Sequence, residues 1–260
     1  MDGILASTRV GQRLRLSVET AQGEERMAEM PIQLSKNRAW PLLQRLNAAL
    51  EAGEIDEAQW YREVAAVIVP AYMAGDNPRA QSGSDGDDAA WRYKRSLIAE
   101  AIDRNGTFLD VGCASGYLME TLARWCRERG HDVEPYGLDI APELADLARR
   151  RLPHWADRIF VGNAITWLPP QRFDFVRTGL EYVPPRRQRD LVARLLGDVV
   201  APGGRLIIGV YSEERDETRT EPSEEERVAR WGFVSAGRTE RPHLHDARLL
   251  YRVFWIDRER

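Results

Sequence analysis

The chain has 260 residues, a formal net charge of −4 at pH 7 and a pI near 5.7, so no global basic field draws it to nucleic acid. Its two cysteines, Cys113 and Cys126, lack metal-site spacing and suit a reducing compartment, which points to the cytoplasm. The longest apolar run, Val64–Val69, is far short of the ~20 residues of a membrane span, and Met1–Met30 lacks the apolar core of a signal peptide.

In chain order, Met1–Met30 offers only a strand-like alternation at Arg13–Glu19, and isolated strands are marginal. It is expected to be a weakly ordered N-terminal extension (1–30). Leu34–Leu50 reads as an amphipathic helix, with Leu42, Leu43, Leu46 and Leu50 at helical spacing and Gly53 beyond its end. Asp56 with Gln59 three residues on resembles a capping box for a second helix, Glu57 to about Ala74, whose face of Trp60, Val64, Val67 and Ile68 needs a partner. Residues 31–104 are thus expected to form a helical cap. Gly75–Asp88 is rich in Gly, Ser and Asp, has nothing evident to bury, and reads as a linker or as a mobile lid. A third helix is expected over Ala89–Asp103, capped by Asp88, with Tyr93 and Arg95 on its polar face.

Thr107–Gly116, TFLDVGCASG, then joins a doubly buried apolar run to a glycine turn, and the amphipathic Tyr117–Arg129 follows directly. Strand, glycine turn and helix make a nucleotide-binding crossover, because glycine admits a close backbone approach and a helix start offers unpaired N–H groups. A pyrophosphate fingerprint would carry glycine where Ala114 stands. It would also be poorly served by Asp110, two residues before Gly112; a carboxylate there suits a ligand with a cationic ammonium group. The stretch FLDVGCASGYL resembles motif I of the class I S-adenosylmethionine-dependent methyltransferases. Two further runs fit. EPYGLDI ends in Asp139, close to the interval of ~20 residues at which such a unit presents an acid to ribose hydroxyls. RIFVGNAI ends in Asn163-Ala164, where the family faces the adenine amino group and sandwiches the ring.

The resemblance implies an α/β fold: a seven-stranded, mostly parallel Rossmann-like sheet with helices on both faces, occupying residues 105–260 behind the cap. It implies S-adenosylmethionine as cofactor, held by Asp110, Gly112, Cys113, Ala114 and Gly116, by Asp139 and Ile140, by Asn163 and Ala164, and by Gly179. It also makes Tyr93 and Arg95 candidates for reaching the methionine end. Arg172–Thr178 is the expected fourth strand, Arg186–Val199 a helix opened by Pro184-Pro185, and Arg205–Tyr211 a fifth strand after Pro202-Gly203-Gly204. Ser212–Glu226 reads as an exposed acidic stretch followed by a short helix. Phe233–Glu240 and Arg248–Asp257 are expected as a final antiparallel pair.

Methyl transfer from a sulfonium needs orientation and exclusion of water, and no metal cluster is in evidence for another route. A protonated acceptor also needs a base, for which Glu181, His243 and His245 are candidates; Tyr182 and Tyr211 are candidates to line the acceptor pocket. No Asn/Asp-Pro-Pro-Tyr tetrapeptide follows the fourth strand, and the runs Arg149–Arg151 and Arg186–Arg187 read as solvated helix faces. The expected partner is a small-molecule acceptor, with no membrane and no nucleic acid, and a homodimer stays open. The alternatives are an RNA or protein methyltransferase, or a cofactor-binding partner without activity of its own.

Overall fold

A computed structural model describes residues 32–260, with side chains from residue 41 onward. The expected extension lies outside the described residues. Seven strands, β1 (Gly106–Val111), β2 (Val133–Asp139), β3 (Ile159–Val161), β4 (Phe173–Thr178), β5 (Val200–Glu214), β6 (Gly237–Pro242) and β7 (Leu249–Asp257), form one sheet in the order β3-β2-β1-β4-β5-β7-β6. The first five are parallel, and β7 runs antiparallel between β5 and β6. The strand order reverses between β1 and β4, and that switch point opens a crevice beyond the strands' carboxyl ends.

The core follows from the apolar runs. Phe108 packs on one face of the sheet with Leu118, Leu122 and Trp125 of α5 (Tyr117–Glu128); Leu109 and Val111 pack on the other with Leu191, Val192 and Leu195. Before the sheet, α1 (Ile32–Glu51) and α2 (Glu57–Met73) bury Leu46, Leu50 and Trp60 between them, and the Trp60 indole N–H donates to Asn47 Oδ1 at 2.9 Å. Asp56 caps α2 by accepting the Gln59 N–H at 2.7 Å.

Four local expectations are revised. The third helix is two: α3 (Asp88–Arg95), capped by Asp87 rather than Asp88, and α4 (Leu97–Glu100). Arg241 on β6 explains the break, since its guanidinium takes the Tyr93 carbonyl and the Ser96 hydroxyl at the junction. Strand five extends in both directions, because Pro202-Gly203-Gly204 forms an irregularity in the ladder with Gly203 at φ +72° rather than a turn ahead of the strand. The acidic stretch is partly internal: Glu213 accepts the Glu224 N–H at 2.8 Å and pairs with buried Arg252. Strand β7, whose Tyr251, Val253 and Trp255 suggest alternation, is buried on both faces: Tyr251 and Val253 join one core cluster, Phe254 and Ile256 the other, and buried Arg252 is matched by Glu213, Asp216 and Glu240.

Residues 75–88 also carry more structure than their composition suggests. Ala80 and Ser84 are buried, and a short turn over Ala80–Ser82 rests on the glycine loop. There the Ser115 hydroxyl donates to the Pro78 carbonyl at 2.9 Å and lies 2.8 Å from Ser82 Oγ.

Candidate cofactor site and acceptor cavity

The glycine turn leaves β1 through Gly112 at φ +74° and enters α5 through Gly116 at φ +72°. Between them Ala114 holds φ +47°, the only positive φ of a non-glycine residue among those described. A left-handed conformation costs an L-residue roughly 1–2 kcal/mol, so the loop must be held from outside. Asp139, at the end of β2, holds it: one carboxylate oxygen accepts the Ala114 N–H at 2.8 Å, the other the Ala141 N–H at 2.9 Å. Burial raises the Asp139 carboxyl above its ordinary pKa, against the pull of the backbone N–H groups of Ala141, Ala114 and Ile140.

Directly beyond this turn lies a cavity of about 310 Å³. Its sheet side is formed by Asp110, Gly112, Cys113, Ala114, Asp139 and Ile140, with Asn163 and Ala164 beside β3. Its far wall comes from α2: Trp60, Val64 and Ile68 of the face that needed a partner, without Val67, together with Tyr61, Ala65 and Tyr72. Ser82 and Gly83 close one end, and Gly83 leaves no room for a side chain against the Tyr72 hydroxyl. Arg95, Arg177, Glu181 and Tyr182 complete the lining.

Eight of the ten expected cofactor residues therefore meet at one cavity. Gly116 and Gly179 do not line it: Gly116 serves as the N-cap of α5, and the carboxylate of Glu181 lies over Gly179. Asn163 uses Oδ1 to accept the Ile165 N–H at 2.9 Å, so its amide NH₂ is the donor left for the neighbouring Tyr61 hydroxyl or for a ligand. Ile140, 44% exposed, is a surface that a flat ring would cover.

Of the proposed bases, Glu181 is at the cavity and the histidines are not. His243 lies in the β6–β7 turn against Tyr251, where its Nδ1 accepts the N–H groups of His245 and Asp246. Burial lowers its imidazole pKa, followed by the nearby His245. Tyr182 lines the cavity; Tyr211 instead lies under Arg95, whose guanidinium is 3.6 Å from the ring centroid.

The residue that sequence reading missed is Arg177 on β4. It sits opposite Asp110 in the β1–β4 ladder, and Nη1 donates to Asp110 at 3.2 Å and to the Tyr182 hydroxyl at 2.8 Å. A signal was present. A charge directly after the apolar Phe175-Val176 in a central strand demands a buried counter-charge, and Asp110 was the acid available on the neighbouring strand.

Comparison with known proteins agrees with this architecture. Residues 108–204 match the family model for a methyltransferase domain. Over these residues the chain carries a methyltransferase domain. The chain is similar to the trans-aconitate 2-methyltransferase of Methylobacterium radiotolerans, with 33% identity over 125 residues, 47% of this chain. The chain spans 45% of that relative's length. In fold it resembles the 1,6-didemethyltoxoflavin-N1-methyltransferase of Burkholderia thailandensis, solved with 1,6-didemethyltoxoflavin and S-adenosylhomocysteine (TM-score 0.56, 23% identity, 79% of this chain and 92% of that one). It also resembles the magnesium protoporphyrin IX methyltransferase of Synechocystis PCC 6803 (TM-score 0.50, 15% identity, 79% and 98%).

Asp139 is at once a turn anchor and the candidate ribose ligand, so Asp139→Ala is expected to act twice. Losing a hydrogen bond to a charged group costs about 1.5–3 kcal/mol, which weakens S-adenosylhomocysteine binding roughly 10- to 150-fold by calorimetry. The N–H groups of Ala114 and Ala141 also lose their partner, so the thermal midpoint falls as well. Unchanged affinity would remove Asp139 from the site.

Proposed function

We propose that this chain transfers the methyl group of S-adenosylmethionine to a small-molecule acceptor with a substantial apolar body. The observation that carries this reading is the single cavity shared by two walls of different chemistry. One wall is the glycine turn with the acids and amide at the ends of β1, β2 and β3; the other is the aromatic and aliphatic face of α2.

The cofactor, when bound, supplies a methyl group already activated for in-line displacement. The residues present fit it. Asp139 retains acceptor capacity for ribose hydroxyls, and Ile140 and Ala164 would flank a purine near the Asn163 amide. Asp110 would meet the ammonium group, and Arg95 would meet the carboxylate, having no carboxylate partner among the described residues. On the other wall, Trp60, Val64 and Ile68 would exclude water from the acceptor, and Glu181 would take its proton. In this reading residues 31–104 act as a cap that forms the acceptor's half of the site.

The enclosed apolar wall favours a small acceptor over a polymer, and among the described residues no helix is long and apolar enough to cross a membrane. Incubation with labelled S-adenosylmethionine and fractionated lysate tests the proposal. Label is expected in a low-molecular-mass fraction. Label on RNA or on a protein band would replace the acceptor class, and binding without transfer to any fraction would make the chain a cofactor-binding partner.

A further inference from the structure

The buried pair Asp110–Arg177 has no role in the reading above beyond Asp110 itself. It stands at the strand switch point, on directly opposed positions of β1 and β4, with the two residues 1% and 3% exposed. Arg177 Nη1 reaches Asp110 Oδ1 at 3.2 Å, the Tyr182 hydroxyl at 2.8 Å and the Val111 carbonyl at 3.5 Å, while its buried Nε has no partner. Both side chains line the cavity. A carboxylate so deeply buried takes a proton unless a cation and hydrogen bonds compensate it. Protonated, it has no charge to offer an ammonium group. Arg177 also fixes Tyr182, whose ring lies so close to Gly112 that a Cβ there would stand 2.7 Å from Cε2.

We propose that Arg177 is a positioning residue for the cofactor: it is the counter-charge that lets Asp110 face the cavity as an anion, and the tie that keeps Tyr182 over Gly112. This rests on the reading of the cavity as a cofactor site.

The charged and titratable groups around the pair come from every neighbouring element: Tyr72 from α2, Arg95 from α3, Asp139 from β2, Cys113 from the turn, Glu181 and Tyr182 after β4, and Tyr211 from β5. Burial pushes the Asp110 carboxyl up to about 6, with Arg177 and then Arg95 holding it down and Asp139 pushing it further up. Burial likewise drives the Cys113 thiol and the Tyr182 phenol upward, away from neutral pH. Asp139 is the other acid lining the cavity whose carboxyl burial raises, so an inflection in binding has to be assigned between the two.

The test is the pH dependence of S-adenosylhomocysteine binding to the full chain, by calorimetry between about pH 5.5 and 8.5. Wild type should bind with constant affinity at the upper end and weaken through a midpoint at about 6. Arg177→Met should move that midpoint to about pH 7–9, the range expected when an Asp loses an adjacent arginine. Arg177→Lys, which keeps a cation, should return it towards the wild-type value. Asp110→Asn should abolish the inflection, and this variant keeps the test decisive if Arg177→Met does not fold. An inflection that survives in Asp110→Asn belongs to Asp139 and overturns the proposal. So does a midpoint that Arg177→Met leaves in place, whatever the loss of affinity. No binding by wild type at any pH would overturn the cofactor reading itself, which separates the two failures.

Discussion

Gly112→Val is expected to abolish S-adenosylhomocysteine binding and to destabilise the protein. Two independent costs fall on one residue. The backbone sits at φ +74°, where an L-residue loses roughly 1–2 kcal/mol and a β-branched one more. The added Cβ would also stand 2.7 Å from the Tyr182 ring, and overpacking of this kind costs about 1–3 kcal/mol. Tyr182 cannot simply swing away, because its hydroxyl is held by Arg177, which is held in turn by Asp110. Strain of this size lowers the thermal midpoint by several degrees, at ~2–4 °C per kcal/mol for a domain of 150–250 residues. It also moves the cavity wall at the point where the cofactor would lie. Thermal scans and calorimetry measure the two effects separately. A variant that melts and binds like wild type would mean that the turn at 112 does not shape the site.

That turn was legible in the sequence, and the reason is local. An apolar run, two glycines in a span of five and an amphipathic segment specify strand, turn and helix without any distant contact. Asp139 and Asn163 were legible in the same way, as the polar ends of apolar runs. What was not legible depends on pairing between distant parts of the chain. The role of Arg177 is set by the β1–β4 register, across 67 residues of sequence. The break between α3 and α4 is set by Arg241, 145 residues beyond Ser96. The α2 face is shared between a packed surface, where Trp60 meets α1, and a cavity, which Val64 and Ile68 line, and periodicity cannot tell the two apart.

The histidines show a further limit. A final hairpin does bring its turn to the carboxyl edge of the parallel strands, since Leu249 pairs with Glu214 at the end of β5. But β7 lies two strands away from β4 in the sheet order. Edge position fixes height along the strands, and the lateral distance comes only from the order of the strands.

This bears on Glu181, for which the largest kinetic effect is expected. Glu181 follows the end of β4 and lines the cavity on the same side as Tyr182, with its carboxylate drawn back over Gly179. It shares that cavity with the α2 wall, where an acceptor would lie. If it takes the acceptor's proton, Glu181→Gln should lower kcat about 10²–10⁴-fold while leaving the affinity for S-adenosylhomocysteine almost unchanged, since the change is isosteric. If catalysis rests on positioning alone, the same substitution should raise the acceptor KM and spare kcat. His243→Ala and His245→Ala serve as controls. With His243 outside the cavity and its Nδ1 engaged in the turn, neither substitution should remove an inflection from the pH–rate profile. All three variants need the same acceptor and the same pH series once labelling has identified the acceptor. A Glu181→Gln enzyme that keeps kcat within about threefold would remove the base from the mechanism. The rate would then come from the α2 wall and the Ser82–Ser115 contact, which would hold acceptor and cofactor together and keep water out.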